Sequence, residues 1–133
     1  MIFVDTNVLL DLVTDDPVWA GWSRQRLDAA VLRDRLAINA VIYAELSAGF
    51  TQIEQVDAIL DTTNIEVVEI PRPALFLAGQ TFKAYRNRGG LRVGVLPDFF
   101  IGAHAAVLGA TLITRDAGRY RSYFPTVELV APS

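Results

Sequence analysis

Ile2-Phe3-Val4-Asp5-Thr6-Asn7-Val8-Leu9-Leu10 is the stretch that decides the fold. A short apolar run is stopped by three polar residues whose side chains suit the free amides at a helix start, and helical apolar density resumes over 8–13. The order is strand, polar turn, helix.

The same grammar repeats outward from there. Asp16-Pro17 supplies a cap and a first-turn proline for a second helix, along which Trp19, Trp22, Leu27, Ala30 and Val31 recur at helical spacing until about Arg35. Leu36-Ala37-Ile38 is a second strand, with Asn39 placed to cap a helix over 41–48 that Gly49 closes. Ile53, Val56, Ile59 and Leu60 form the stripe of a helix over 51–62, and a third strand over 65–70 is broken by Pro71. A helix over 74–87 ends at Arg88-Gly89-Gly90, and a loop returns over 93–97. Asp98 opens a helix rich in small residues that runs to about Leu108, where Gly109 closes it. Strands over 111–114 and 127–130 complete the chain. Strands alternating with helices specify an α/β protein: a three-layer α/β/α fold whose central, mainly parallel sheet has four to five strands.

The length of 133 residues suits one domain, 1–133, with one core. The chain is 52% apolar with a mean hydropathy of +0.31. That excludes disorder and leaves apolar surface expected to cover a partner. There is no cysteine, so disulfide frameworks and thiolate zinc sites are excluded and an intracellular, cytoplasmic location is expected. His104 is the one histidine, which removes histidine-rich metal motifs and most His-based triads. It falls six residues after Asp98, pointing away from it on a helix, and is expected to be a packing or surface residue. No secretory signal or membrane span is expected, because the longest uncharged run, over 99–114, falls short of the roughly 20 residues a span needs.

The net charge of -3 conceals an asymmetry. Residues 1–71 hold four arginines against twelve acids, whereas 72–121 hold seven arginines and Lys83 against only Asp98 and Asp116. A charge run is often only a solvated face, but here both acids of the basic half are also candidates for chemistry.

In parallel sheets, ligands collect at the carboxyl ends of strands. Asp5 follows the first strand directly, and Asp116 follows the fourth with one residue between. Glu45 and Asp98 lie on helices toward the same edge, each among apolar or small neighbours. Carboxylates in such a setting are costly without a cation, and four together repel. An all-oxygen ligand set suits Mg²⁺ or Mn²⁺, which activate water near neutral pH without a histidine or lysine base. Asp5, Glu45, Asp98 and Asp116 are therefore candidate metal ligands and catalytic residues of a phosphodiester-cleaving site. Each also has a plainer reading: Asp5 and Asp98 as helix caps, Asp116 as a turn residue ahead of Gly118, Glu45 as the ion-pair partner of an arginine. Asp11, Asp28, Asp34, Glu54, Asp57 and Asp61 read as solvated helix positions, and Asp15-Asp16 as a loop and a cap.

Four segments in order carry a family resemblance across nearly the whole chain. Phe3-Val4-Asp5-Thr6-Asn7-Val8-Leu9-Leu10, Tyr43-Ala44-Glu45-Leu46-Ser47-Ala48-Gly49, Pro97-Asp98-Phe99-Phe100-Ile101-Gly102-Ala103-His104-Ala105 and Leu112-Ile113-Thr114-Arg115-Asp116, the last followed by Tyr120 and Phe124-Pro125, resemble the motifs of PIN-domain ribonucleases, specifically VapC-type toxins. Two departures are minor: Asn39 stands where serine is frequent, and Gly102 where alanine is usual.

The resemblance implies metal-dependent hydrolysis of single-stranded or loop RNA, with the four acids holding one or two metal ions. Asn7 and Thr114 would fix the carboxylates. Arg72, Lys83, Arg86, Arg88, Arg92, Arg115, Arg119 and Arg121 become candidates for phosphate contacts, arginine predominating as bidentate phosphate recognition favours. The family further implies a homodimer and a small cognate antitoxin whose tail fills the active-site groove, with Trp19, Trp22 and Phe50 as candidate contacts or, equally, core.

Rival readings fit less well. An aspartyl phosphatase needs a second aspartate where Asn7 stands, and a receiver domain needs a late-strand lysine, whereas Lys83 falls in mid-helix. A non-catalytic PIN-like module binding RNA or protein is the remaining alternative; all four acids being present weighs against it.

Overall fold

The computed structural model describes residues 1–92 and 94–132. Along the described chain the order is β1 (Ile2–Val4), α1 (Thr6–Val13), α2 (Ala20–Val31), β2 (Leu36–Ile38), α3 (Ala40–Ser47), α4 (Ile53–Thr63), β3 (Ile65–Val67), α5 (Arg72–Asn87), α6 (Leu96–Leu108), β4 (Thr111–Ile113), α7 (Gly118–Tyr123) and β5 (Leu129–Val130). The strands form one sheet in the order β3-β2-β1-β4-β5. Every pairing is parallel, with Ile2 opposite both Leu36 and Thr111.

Parallel strands need crossover connections, and helices supply them between each successive pair, giving the expected three-layer α/β architecture. Phe3, Val4, Ala37, Ile38, Leu112 and Ile113 are at most 1% exposed, because strands covered on both faces have no polar side to present. The chain leaves β1 toward β2 on one side, while β4 and β5 lie on the other. The carboxyl ends of β1 and β4 therefore flank the point where strand order reverses, which is where open α/β sheets bind ligands.

Local signals set most boundaries. Asn39 Oδ1 accepts from the amides of Val41 and Ile42, both at 3.1 Å, and caps α3. Asn64 and Gly109 end α4 and α6 in the left-handed conformation, at φ 57° and 62°. The run over 99–114 is a buried helix followed by a buried strand, as its composition requires.

Several boundaries differ from the sequence reading. Asp16 Oδ1 accepts from Val18 and Trp19, both at 2.9 Å, so the proline segment forms a turn and α2 starts only at Ala20, ending at Val31. Gly49 has no left-handed φ and does not close α3. The edge strand β3 is shorter than expected, though Val68 still donates to Ile38 O at 2.8 Å. Helix α6 starts at Leu96 with Pro97 in its first turn, so the returning loop is shorter; Val93 lies outside the described residues. Helix α7, six residues long, has no counterpart in the sequence reading, since Gly-Arg-Tyr-Arg-Ser-Tyr carries too little apolar periodicity to announce one.

Asp11 also departs from expectation. It is 2% exposed, accepts from Ser23 Oγ at 2.8 Å and pairs with Arg115 Nε at 2.7 Å. Helical spacing put it on a solvated face; the packing of α2 against α1 covers that face instead.

Candidate active site

All four singled-out carboxylates reach one cleft of about 230 Å³, lined by Asp5, Thr6, Asn7, Leu10, Glu45, Asp98 and Asp116. Each arrives by a different element. Asp5 leaves the end of β1 and is the N-cap of α1, its Oδ1 accepting from Thr6 N at 2.8 Å. Its cap role and its place in the cleft thus coexist. Glu45 projects from mid-α3 and its Oε1 accepts from Thr6 Oγ1 at 2.7 Å, so the residue after Asp5 ties β1 to α3. Asp98 is in the first turn of α6 but does not cap it; Val95 holds that position. Asp116 follows β4, its amide donating to Thr114 Oγ1 at 3.1 Å.

The environments are unequal, contrary to the expectation drawn from apolar sequence neighbours. Asp5 is 5% exposed and Asp98 half-buried, whereas Glu45 and Asp116 are exposed. The apolar neighbours Ile42 and Leu46 serve the core face of α3, opposite Glu45.

Burial, aided by the charge of Asp98, pushes the Asp5 carboxyl up to about 6, even though hydrogen bonds from Thr114, Thr6 and Tyr120 pull it down. Asp98 is also raised, by burial first, against the opposing pull of Arg119.

Thr114 Oγ1 gives its proton to Asp5 Oδ2 at 2.8 Å and is approached by Asn7 Nδ2 at 3.4 Å. Asn7 Oδ1 accepts from Arg115 N at 3.1 Å, so Asn7 and Thr114 brace the end of β4 against α1.

Sequence reasoning left Tyr120 and Thr6 without a role. Tyr120 is 1% exposed, and its hydroxyl lies 3.0 Å from Asp5 Oδ2 and 3.4 Å from Asp98 Oδ1. Burial and the two nearby carboxylates raise its pKa well above the ordinary value, so it stays a donor between them. The available signal was its position four residues after Asp116.

The basic residues scatter. Arg119 Nη1 pairs directly with Asp98 Oδ2. Arg115 lies over the Trp19 ring at 5.2 Å while bound to Asp11. Arg86 and Arg88 lie over Phe82 and Tyr123 at 6.0 and 5.6 Å. Arg72, Lys83, Arg92 and Arg121 form no ion pair with the carboxylates among the described residues. Trp19, Trp22 and Phe50 are half-buried, the latter two packed on the core.

Among the described residues no three acids lie close enough together to hold a metal ion as they stand. The chemistry of the donor set still fits a hard divalent cation, since it is all oxygen and comes from four carboxylates that share one cleft. Mg²⁺ uses few carboxylates and keeps waters, so an open cleft suits it.

A parallel sheet that gathers acids from β1, α3, α6 and the end of β4 at its switch point makes this an α/β protein with a carboxylate-lined cleft where such sheets bind ligands. The chain belongs to the PIN domain family, whose model matches residues 2–124. No curated protein matches it. Solved structures share its fold: VapBC2 of Rickettsia felis bound to a promoter DNA fragment (22% identity, all of both chains, TM-score 0.76), VapBC-1 of nontypeable Haemophilus influenzae (23%, 98% of each chain, TM-score 0.71), and VapBC-5 of Mycobacterium tuberculosis, described as a member of the VapBC family of toxin-antitoxin systems (22%, 98% and 97%, TM-score 0.62).

Proposed function

We propose that this chain is a metal-dependent endoribonuclease, using Mg²⁺ or Mn²⁺ to hydrolyse phosphodiester bonds in single-stranded or loop RNA, and the VapC-type toxin of a toxin-antitoxin pair. The observation that carries the reading is the single cleft at the sheet's switch point in which Asp5, Glu45, Asp98 and Asp116 meet, brought there by β1, α3, α6 and the end of β4, with Asp5 buried within it. A buried carboxyl is stabilised as an anion when a cation arrives.

Asp5, Glu45, Asp98 and Asp116 would hold the ion, which when bound would supply positive charge against the phosphate and lower the pKa of water for attack. Asn7, Thr114 and Tyr120 keep Asp5 oriented while its proton is lost. Arg119, paired with Asp98 at the cleft, would be the cation nearest an incoming phosphate, and Arg86 and Arg88 are candidates for contacts with the RNA backbone. The solved structures of similar fold are of toxin-antitoxin complexes, which supports a cognate antitoxin as the partner. A homodimer and a cytoplasmic location belong to the same reading; no described helix is long and apolar enough to cross a membrane.

The test is cleavage of a mixed single-stranded RNA by the purified chain in Mg²⁺ or Mn²⁺, beside EDTA and Asp98→Asn controls. Products lost in both controls support the reading. RNA bound but uncut by a folded chain turns it toward a non-catalytic PIN-like binding module.

A further inference from the structure

His104 lies on α6 with no exposed surface. Its ring packs against Phe3 of β1, centroids 4.6 Å apart, and its Nδ1 is 3.2 Å from Asn39 Nδ2. Asn39 Oδ1 already accepts from the amides of Val41 and Ile42. The oxygen end of that amide is thereby committed to the helix, and the NH₂ end faces the ring. A donor facing Nδ1 requires a lone pair there, so the ring proton sits on Nε2. Nε2 has no hydrogen-bond partner among the described residues.

A purely space-filling side chain at this position would be apolar, because an unpaired buried N–H carries a desolvation cost. What the imidazole offers that phenylalanine does not is the acceptor at Nδ1. That acceptor holds the residue capping α3, and Glu45 follows Asn39 by six residues on that helix. Burial lowers the ring's pKa, which preserves the acceptor by keeping the ring neutral.

We propose that His104 and Asn39 form a positioning pair for the acid cleft. Through it, α6, which carries Asp98, and β1, which leads into Asp5, hold the N-terminus of α3 and set where Glu45 enters. The proposal rests on the reading of these acids as metal ligands.

Because the chain has a single histidine, its ring-nitrogen resonances are assigned without ambiguity in a ¹⁵N-labelled sample. A proton on Nε2 and an unprotonated, hydrogen-bonded Nδ1 at pH 7 are expected; a proton on Nδ1 would overturn the pair. Two variants then separate positioning from packing. His104→Phe keeps a ring and loses the acceptor. His104→Asn keeps an acceptor near the Nδ1 position and loses the ring's volume. Packing alone ranks Phe above Asn in every property. Positioning inverts that order for Mn²⁺ affinity: a loss of about tenfold in His104→Phe, the low end for residues supporting metal ligands, and a smaller loss in His104→Asn although it melts lower. RNA cleavage should show a reduced kcat with KM little changed in His104→Phe. Mn²⁺ affinity that follows the melting temperature overturns the proposal and leaves the nuclease reading standing. A wild-type chain that binds no Mn²⁺ defeats the nuclease reading itself. Amide-exchange protection of Val41 and Ile42 then still decides the pair, since loss of protection in His104→Phe supports it and unchanged protection overturns it.

Discussion

Thr114 Oγ1 hands its one proton to Asp5 Oδ2 across the neighbouring strands β4 and β1, 2.8 Å apart. The same oxygen receives the amide of Asp116 at 3.1 Å. One hydroxyl therefore links the most buried carboxylate of the cleft to an exposed one. Thr114→Val preserves shape and removes the link. It should lower Mn²⁺ affinity by roughly ten- to a hundredfold, with cleavage falling in step, and cost about 1 to 3 kcal/mol of stability by leaving buried partners unpaired. Thr114→Ser keeps the hydroxyl and should retain most of the affinity. Mn²⁺ titration and thermal melts of both variants decide it; equal affinities for Val and Ser would remove the hydroxyl from the account.

The raised Asp5 carboxyl makes stability depend on pH in a definite direction. Below its ordinary value of 3.8, the folded and unfolded chains both hold the proton. Between 3.8 and about 6 the folded chain keeps a proton that the unfolded chain has released, so stability falls as pH rises. Above about 6 the loss is complete, on the order of 3 kcal/mol for this one group. In EDTA, Asp5→Asn should flatten this part of the profile and melt higher than wild type at pH 7.5. With Mn²⁺ present the order should reverse, because only the carboxylate gains from the ion. Melting curves from pH 4 to 8, with and without metal, test both statements.

Of the residues that line the cleft, Asp5 was legible because it interrupts the apolar run of the first strand, and strand ends in a parallel sheet face the ligand edge, whereas Thr114, behind the cleft, drew notice only through the family resemblance. Asn39 was legible as a cap because Asn accepts from helix amides whatever packs around it. What local pattern does not carry is the placement of one helix against another. The burial of Asp11 depends on α2 crossing α1, and the exposure of Glu45 depends on which face of α3 meets the core. Tyr120 lies in a helix too short to show a period. Its hydroxyl reaches Asp5 over 115 residues of separation, an approach that only the folded topology creates.

Arg115 and the pair Arg86 and Arg88 should separate a structural arginine from phosphate-binding ones. Arg115 neutralises Asp11, which is 2% exposed. Arg115→Ala leaves that carboxylate with only Ser23 as partner and should destabilise by about 3 kcal/mol, the low end for breaking a buried pair, because Arg115 is itself partly exposed. Arg86 and Arg88 form no ion pair among the described residues, so their reversal to Glu should cost only their contacts over the Phe82 and Tyr123 rings and the favourable charge at the end of α5, about 1 kcal/mol for each residue. It should instead weaken RNA binding and reduce the salt slope by roughly 0.7 for each single-strand phosphate that is no longer neutralised. An unchanged slope would take Arg86 and Arg88 out of the RNA path.

Gly102 is fixed by an aromatic ring rather than by its backbone. A Cβ built there meets Phe124 Cδ2 at 2.3 Å and Cε2 at 2.5 Å, closer than two carbons can lie. Phe124 cannot simply retreat, since it is 3% exposed and packs on Phe99, ring centroids 6.1 Å apart. Gly102→Ala should therefore cost about 1 to 3 kcal/mol, the usual range for overpacking a filled core. A methyl group there requires the ring opposite to give way, so a smaller partner should rescue the variant. Phe124→Leu alone should destabilise through poorer packing, yet Gly102→Ala combined with Phe124→Leu should be less destabilised than the sum of the two, by about 1 kcal/mol. Strictly additive losses in a thermal or urea double-mutant cycle would mean that the ring and the glycine do not meet. Asp98 stands one turn away on the same helix, so Mn²⁺ affinity of the double variant reports whether the repacked ring still presents that carboxylate to the cleft.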